Sequence, residues 1–226
     1  MSHLFLGTRY TDDSIKFFNS AVEAKMPTSR LSFQQTDQVM GSLAVGEDTY
    51  VYMGWLWTER LKELGVKFEE PDDKLLLTLP EEYTQRNIEL TTLQGEYTES
   101  FIKPLNGKSF DGLVINEEQW EDLKYIHGPI DILRASIVDF VSEYRFFIVE
   151  GVIVTMTHYL KEADRMSCAL RLAERVVPRI EGFNYVLDVG ITREGIPLVV
   201  EANPIHQSSI YNANAGRILP GLKVSN

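Results

Sequence analysis

The chain has 226 residues, 44% of them hydrophobic and 11% aromatic, so it can bury a substantial core and is not globally disordered. It carries 22 basic and 33 acidic residues, and the net charge of −11 disfavours non-specific binding to nucleic acid or to an anionic membrane. No apolar run approaches the ~20 residues that cross a bilayer, and a single cysteine, Cys168, excludes an internal disulfide framework. We therefore expect a cytoplasmic protein without membrane contact.

The first hundred residues alternate between predicted strands and helices, which is typical of a small α/β unit. The predicted elements, in chain order, cover residues 4–6, 12–24, 31–33, 49–53, 55–64 and 66–68. Gly65 closes the helix at 55–64, and a mainly helical stretch at 77–93 begins with Pro80 in its first turn. We assign residues 1–97 to this N-terminal domain. Its aromatic residues between Tyr50 and Trp57 suit a homodimer interface.

Antiparallel strands dominate residues 98–226. Strands are predicted at 100–104, 113–115 and 132–140, followed by two hairpins whose turns are Glu150-Gly151 and Glu194-Gly195. An amphipathic helix at 165–177 lies between the hairpins and ends before Pro178. The pattern indicates mixed α+β structure with one good helix in this half.

The last predicted hairpin carries two carboxylates on facing strands. If Glu194-Gly195 forms a two-residue turn, counting back along both strands places Asp188 opposite Glu201, with Asn203 on the same face. Facing carboxylates repel unless a cation lies between them, and these oxygen ligands suit Mg2+ better than zinc. The hairpin therefore predicts a Mg2+ site, and such sites usually also bind phosphate oxygens. The alternative is an exposed hairpin edge where the carboxylates splay apart.

The other hairpin presents a polar cluster among apolar residues. A two-residue turn at Glu150-Gly151 would place Glu143 opposite His158, with Arg145 on the same face as Glu143. One interpretation is an arginine that faces phosphate beside an acidic partner. The other is a solvated salt bridge on the outer face, which is common and weak.

Two lysines flank a short glycine-containing loop. Lys103 and Lys108 enclose Pro104-Leu-Asn-Gly107, and a lysine ammonium is a compact charge suited to phosphate. The loop is not a Walker loop, because G-x-x-x-x-G-K-[ST] is absent. Taken alone, the pair is equally compatible with solvated lysines.

In this order the pieces resemble an ATP-grasp domain over about residues 98 to 207. The matching segments are Phe101-Ile-Lys103-Pro, the Gly107-Lys108 loop, Glu143-Tyr-Arg145 with its hairpin, Leu187-Asp188-Val and Val200-Glu201-Ala-Asn203-Pro. The resemblance implies an α+β ATP-grasp fold in which two subdomains, residues 98–140 and 141–226, hold a nucleotide between antiparallel sheets. A reduced N-terminal α/β domain would precede them.

The resemblance also implies roles for single residues on the nucleotide. Lys103 would contact the α- and β-phosphates, and Lys108, in a small loop over the phosphates, would assist catalysis. Arg145 would face the transferred phosphate, with Glu143 beside the nucleotide. The remaining implied positions are the adenine-binding hinge at Ser136, Ile137 and Val138, the ribose contact at Asp139, and the Mg2+ ligands Asp188, Glu201 and Asn203.

The implied activity is a ligase that uses ATP and Mg2+. Family members convert a carboxylate into an acylphosphate, which an amine or other nucleophile then attacks. Small-molecule or peptide carboxylates and amines are the expected partners, and Ser208, Ser209 and Asn212 are candidate substrate contacts just after the metal strand. A phosphotransferase on the same site and a non-catalytic nucleotide-binding protein are the alternatives.

Overall fold

The computed structural model describes residues 2–7, 11–32, 34–36, 48–72, 74–105, 109–161 and 164–225. Within these ranges the elements are, in chain order, β1 (His3–Gly7), α1 (Asp12–Glu23), β2 (Thr28–Leu31), β3 (Thr49–Tyr52), α2 (Trp55–Glu63), α3 (Leu75–Thr78), α4 (Glu81–Thr84), β4 (Ile88–Thr92), β5 (Ser100–Pro104), β6 (Leu113–Ile115), α5 (Glu117–His127), β7 (Asp131–Ala135), β8 (Phe140–Val149), β9 (Val152–Lys161), α6 (Met166–Val176), β10 (Tyr185–Thr192), β11 (Pro197–Pro204), α7 (Ala215–Ile218) and β12 (Lys223–Val224). No helix in these ranges is long and apolar enough to cross a membrane.

The first sheet joins the beginning and the end of the described chain. Its strand order is β12-β3-β1-β2, with β1 parallel to both neighbours and β12 antiparallel to β3. The strand predicted at 66–68 is reduced to one bridge between Lys67 and Ser225, beside β12. Helix α1 begins where Thr11 accepts a hydrogen bond from the Ser14 amide, and it packs Phe17 against Tyr52 of β3.

The third sheet, with strand order β4-β7-β5-β6, corrects the prediction of a mainly helical stretch at 77–93. The helix beginning after Pro80 ends at Gln85, whose φ of 44° lies in the left-handed region. Residues Ile88–Thr92 then form β4, antiparallel to β7. Pairing with β7 therefore prevails over local helix preference in this segment.

Helix α5 covers this sheet and was missed in the sequence. Its signal is present: Asn116 and Gln119 form a capping box, acidic residues fill the first turn, and Gly128 follows the last. Trp120 carries the buried face of α5 into the core of the third sheet. The domain boundary after residue 97 stays a prediction, and β4, which precedes it, pairs within this sheet.

The second sheet, with strand order β11-β10-β8-β9, is entirely antiparallel and is covered on both sides. Phe146 and Leu187 belong to the core formed with α6, whereas Phe147 and Val186 belong to the core formed with α1 and the first sheet. Burial of both faces explains the broken apolar–polar alternation of β8, because neither set of side chains meets water.

His206 ties the end of β11 to the first sheet. It is 1% exposed, its Nδ1 lies 3.0 Å from the Val51 carbonyl, and its ring meets Phe68 edge-on at 4.9 Å between centroids. Burial lowers the pKa of His206 from 6.5 to about 4. The folded protein therefore holds this imidazole neutral under conditions where an unfolded chain would protonate it.

This difference predicts a pH-dependent loss of stability. Because the folded pKa is the lower one, the unfolded state takes up the proton first as the pH falls from 6.5 to 4. The free energy of unfolding should drop over that window by roughly 3 kcal/mol from His206 alone. In His206→Asn, which keeps an N–H near the Val51 carbonyl but does not titrate, urea denaturation should show a shallower slope.

His158→Asn provides the control, since His158 is exposed and its replacement should leave the wild-type slope. Equal slopes in wild type and His206→Asn would contradict the neutral, buried assignment of His206.

Candidate active site

The Asp188–Glu201 pairing is confirmed, although the turn that produces it differs from the prediction. The β10–β11 loop has three residues, 193–195, because the Thr192 amide donates to the Ile196 carbonyl at 2.9 Å. Gly195, with φ of 86°, supplies the left-handed residue that such loops require. A β-bulge then offsets this one-residue change: Val189 pairs with Val199 and Asp188 with Glu201, which leaves Val200 as the extra residue.

Three adjacent strands place a row of charged side chains across the second sheet. Asp188 on β10 pairs with Arg145 on β8 at one side and with Glu201 on β11 at the other. Arg145 Nε donates to Asp188 Oδ1 at 2.9 Å and Nη2 donates to Oδ2 at 2.7 Å, so the ion pair is bidentate. Asp188 is fully buried. The row thus runs from a buried ion pair to a carboxylate at the sheet edge.

The buried carboxylate has an altered acidity. Burial raises the pKa of Asp188 to about 6, and the Arg145 guanidinium opposes that shift. The nearby carboxylates of Glu201 and Glu143 favour the protonated form. Two acids on one face of the sheet thus bear on Asp188, as the sequence predicted for Glu201.

Lys103 meets Glu201 across the space between the second and third sheets. The Lys103 Nζ lies 3.0 Å from Glu201 Oε2, and both side chains are partly exposed, at 24% and 29%. Burial raises the pKa of Glu201, but Lys103 and the Asn203 amide lower it by more. The structure therefore brings together the predicted phosphate-binding lysine and a predicted metal ligand on opposite walls of one cleft.

This cleft is a cavity of about 550 Å³, within the usual range for small-ligand sites. Its polar residues include Arg86, Lys103, Glu143, Glu201 and Asn203. The apolar wall is formed by Leu76, Ile88, Phe101, Leu133 and Ala135. An apolar wall opposite a charged floor suits a ligand with a flat base at one end and phosphates at the other.

A second cavity, of about 220 Å³, adjoins the charged row. Arg145, Glu201, Asn203, Gln207, Ser208, Ser209 and Tyr211 are among its lining residues. Arg145 Nη1 donates to the Ser209 carbonyl at 3.1 Å, and its guanidinium carbon lies 5.2 Å and 5.6 Å from the ring centroids of Tyr159 and Tyr211. Arg145 and Glu201 thus border a small polar space beyond the main cleft.

The β8–β9 register corrects the prediction for Glu143. The two-residue turn is confirmed, with Val149 opposite Val152 and positive φ at both Glu150 and Gly151. Two register shifts follow, and His158 pairs with Tyr144 instead of Glu143. The extra residue on β9 is Tyr159, whose hydroxyl donates to the Glu143 carboxylate. Tyr159 is therefore a site residue that alternation counting could not find.

Several predicted positions lie apart from the cleft. Residues 136–139 join β7 to β8, and the Ser136 amide donates to the Asn87 carbonyl at 3.0 Å, but the cleft residues in the described part of the chain stop at Ala135. Asp139 forms an exposed ion pair with Arg193 at 2.8 Å. The nucleotide roles of Ser136, Ile137, Val138 and Asp139 therefore stay predictions.

Two further predictions are placed differently. Lys108 lies outside the described residues, so its role as a phosphate contact stays a prediction. Asn212 is exposed, whereas Ser208 is held by Tyr52, whose hydroxyl donates to the Ser208 carbonyl at 3.2 Å. The two serines line the second cavity, and their substrate role also stays a prediction.

The predicted metal ligands form an oxygen donor set. Within the described ranges, no cluster of three His, Cys, Asp or Glu could hold a metal, so the predicted set depends on the Asn203 amide as its third member. Asn203 Nδ2 donates to Asp188 Oδ2 at 3.3 Å, which points the amide at the same carboxylate. Two carboxylates and an amide at the wall of a cleft fit a hard cation such as Mg2+.

The fold and this site define a protein class. A family model described as an ATP-grasp domain, the second family of its clade, matches residues 83–220. The chain belongs to this ATP-grasp family, and its mixed α+β architecture is the ATP-grasp fold. No curated protein matches the chain.

Solved structures share the fold at low sequence identity. D-cycloserine synthetase DcsG has a TM-score of 0.64 at 14% identity, covering 98% of both chains. The RimK domain ATP-grasp protein from Sphaerobacter thermophilus DSM 20745 has 0.58 at 12%, covering 98% of this chain and 99% of that one. D-alanine–D-alanine ligase from Bacillus anthracis, complexed with ATP, has 0.56 at 11%, covering 98% and 96%. These identities establish a common fold alone.

The buried ion pair predicts a large stability difference between two arginine variants. Arg145→Met leaves Asp188 charged and unpaired in the sheet interior, so the free energy of unfolding should fall by about 3–5 kcal/mol. Arg193→Met breaks the exposed pair with Asp139, whose side chains are 64% and 65% exposed, and should cost less than about 1 kcal/mol. Urea denaturation measures both, and similar losses in the two variants would argue against the assigned role of burial.

Proposed function

We propose that this protein is an ATP- and Mg2+-dependent ligase, which converts a substrate carboxylate into an acylphosphate for attack by an amine or other nucleophile. One observation carries the proposal: Lys103 faces the Arg145–Asp188–Glu201 row across a cleft with an apolar wall. ATP-grasp membership supports an ATP-dependent ligase in general terms. The proposal extends to the reaction type and leaves the acid and the nucleophile open.

The cleft has separate places for the two ends of a nucleotide. The apolar side chains of Ile88, Phe101 and Leu133 offer faces for a base, with the strand end at Ala135 leading into the proposed hinge, residues 136–139. Lys103 would bind the α- and β-phosphates, and Lys108 would approach from the loop before β6. Each interaction would replace one that water makes with the free nucleotide.

The ion pair between Lys103 and Glu201 has a simple role in this scheme. A phosphate group that enters between them gives Lys103 an anionic partner, and Glu201 becomes available with Asp188 and Asn203 to hold Mg2+. When bound there, Mg2+ would neutralise charge on the phosphate oxygens. The ion pair thus keeps both side chains in place until the nucleotide arrives.

The reaction needs no nucleophile from the protein. A substrate carboxylate oxygen attacks the γ-phosphorus, the bond to the β-phosphate oxygen breaks, and ADP leaves. The amine then attacks the acyl carbon and displaces inorganic phosphate. Arg145 would lie against the transferred group and stabilise its charge, because Asp188 and Ser209 fix the guanidinium in orientation.

The substrate would approach through the second cavity. It adjoins Arg145 and Glu201, which would bracket the transferred phosphate, and it presents Ser208 and Ser209. We retain these serines, and Asn212 just outside, as proposed substrate contacts. The first 97 residues, proposed as a separate N-terminal domain, contribute through Tyr52 to holding this loop.

A lysine comparison tests the nucleotide site. Lys103→Met should weaken ADP binding about tenfold or more, because a charge-assisted contact to phosphate is lost. Isothermal titration calorimetry measures the dissociation constant. Lys124→Met is the control, since Lys124 forms a surface ion pair with Glu121 on α5 and should leave the affinity unchanged. Unchanged affinity in Lys103→Met would remove Lys103 from the phosphate site.

Replacement of the metal-strand carboxylate tests catalysis. Glu201→Gln keeps the size of the side chain but removes its charge, so Mg2+-dependent ATP turnover should fall at least about a hundredfold. Phosphate release in the presence of pooled amino acids and small peptides is the assay. Glu89→Gln, at an exposed position on β4, should retain wild-type turnover. Full activity in Glu201→Gln would exclude the metal assignment.

Mass spectrometry of the same mixtures separates the reaction classes. A ligase yields ADP, free phosphate and a product whose mass is the sum of two substrates less one water. A phosphotransferase yields a stable phosphorylated product without free phosphate. ATP binding with neither product across the screen would favour a non-catalytic nucleotide-binding protein.

A further inference from the structure

The β-bulge in β11 determines which way Glu201 points. Between the β10–β11 loop and Val199 the strands follow one register, and beyond Val200 they follow another, shifted by one residue. Because side chains alternate with a period of two, continuing the first register would place Val200 opposite Asp188 and turn Glu201 to the other face. Asn203 would turn with it. The three proposed metal ligands share a face only because the bulge is present.

A bulge leaves backbone groups without partners in the ladder, and here a side chain supplies a donor. Arg86 Nη2 donates to the Val199 carbonyl at 2.7 Å and to the Val200 carbonyl at 2.9 Å. Arg86 is 8% exposed, so water competes poorly for these carbonyls. One guanidinium nitrogen therefore bonds both residues that flank the register shift.

Arg86 is itself held in place by the chain on either side. Helix α4 ends at Gln85, whose φ of 44° turns the backbone, and β4 begins at Ile88. The arginine thus extends from the connection into the third sheet to a strand of the second sheet. It also lines the 550 Å³ cleft near Glu143 and Glu201.

We propose that Arg86 is a positioning residue that holds the bulge at Val200 and thereby places Glu201 and Asn203 on the same face as Asp188. Its consequence for metal binding rests on the proposed function, whereas its hold on the bulge does not. A direct phosphate contact by Arg86 is the competing interpretation, because the side chain also borders the cleft.

The two interpretations predict opposite patterns of ligand binding. Loss of a cation beside Glu201 and Glu143 would, by charge alone, strengthen binding of Mg2+. Loss of the bulge would weaken it, because the ligands no longer converge. Loss of a phosphate contact would weaken ADP binding even when no divalent cation is present.

The main variant is Arg86→Met, which keeps the apolar stem but removes the donors. Hydrogen exchange followed by mass spectrometry, without nucleotide or metal, should show amide exchange in residues 186–190 and 198–203 faster by about tenfold or more. Helix α6 should keep its wild-type protection. Unchanged exchange in the two strand segments would overturn the proposal.

Calorimetry with ADP then tests the consequence for the site. In Arg86→Met the affinity for ADP in EDTA should stay near wild type, while the enhancement by Mg2+ should fall about tenfold or more. An equal loss of affinity in EDTA, or a stronger effect of Mg2+, would overturn the positioning role. If wild-type protein shows no Mg2+-dependent ADP binding, the proposed function fails, and the exchange result alone decides the role of Arg86 at the bulge.

Two matched variants complete the design. Arg175→Met removes an exposed arginine that contacts Glu82 on the neighbouring helix α4, and it should match wild type in both measurements. Arg86→Lys retains the charge and a donor, so it should restore part of the protection and of the Mg2+ enhancement. If Arg86→Met does not fold, Arg86→Lys carries the test: values identical to wild type would overturn the need for the two-carbonyl contact.

Discussion

The bidentate pair between Arg145 and Asp188 is the constraint on which the site depends. Both charges lie in a sheet whose two faces are buried, and an unpaired charge there would carry a large desolvation penalty. The pair requires β8 and β10 to meet in one register, because only directly opposed residues bring the guanidinium edge onto both carboxylate oxygens. That register in turn fixes which residue of β11 can lie beyond Asp188.

Much of the fold follows from local signals in the chain. The turns at Glu150-Gly151 and near Gly195, the cap at Thr11 and the break before Pro178 are written in neighbouring residues, and the structure confirms the elements that they delimit. The mainly helical prediction for residues 77–93 was wrong because β4 is specified by its pairing with β7, a contact between distant segments. The missed helix α5 had a readable capping box, so that error lay in interpretation.

The site shows the same division between local and distant information. Alternation on one strand was enough to associate Asp188, Glu201 and Asn203, yet the prediction reached the right pairing through a turn of the wrong length, which the bulge compensates. At β9 nothing compensated, and Tyr159 took the place expected for His158. Arg86 could not be found at all, since its partners on β11 are more than a hundred residues away in sequence. Sequence reasoning thus identifies the charged groups of such a site, but not the contacts that aim them.

The N-terminal unit bears on the site through a single loop. Asp13 on α1 accepts from the Ile210 amide at 2.9 Å, Lys16 on the same helix donates to the Tyr211 carbonyl, and the Tyr52 hydroxyl reaches the Ser208 carbonyl. All three contacts hold backbone groups of the loop that borders the second cavity, and Tyr211 stands there with a strained φ of 47°. The loop conformation is thus imposed by α1 and β3. Changes in the first sixty residues would therefore alter the shape of the cavity beside Arg145 while leaving the charged row of the central sheet intact, and this separates the part of the molecule that would choose a substrate from the part that would hold the phosphates.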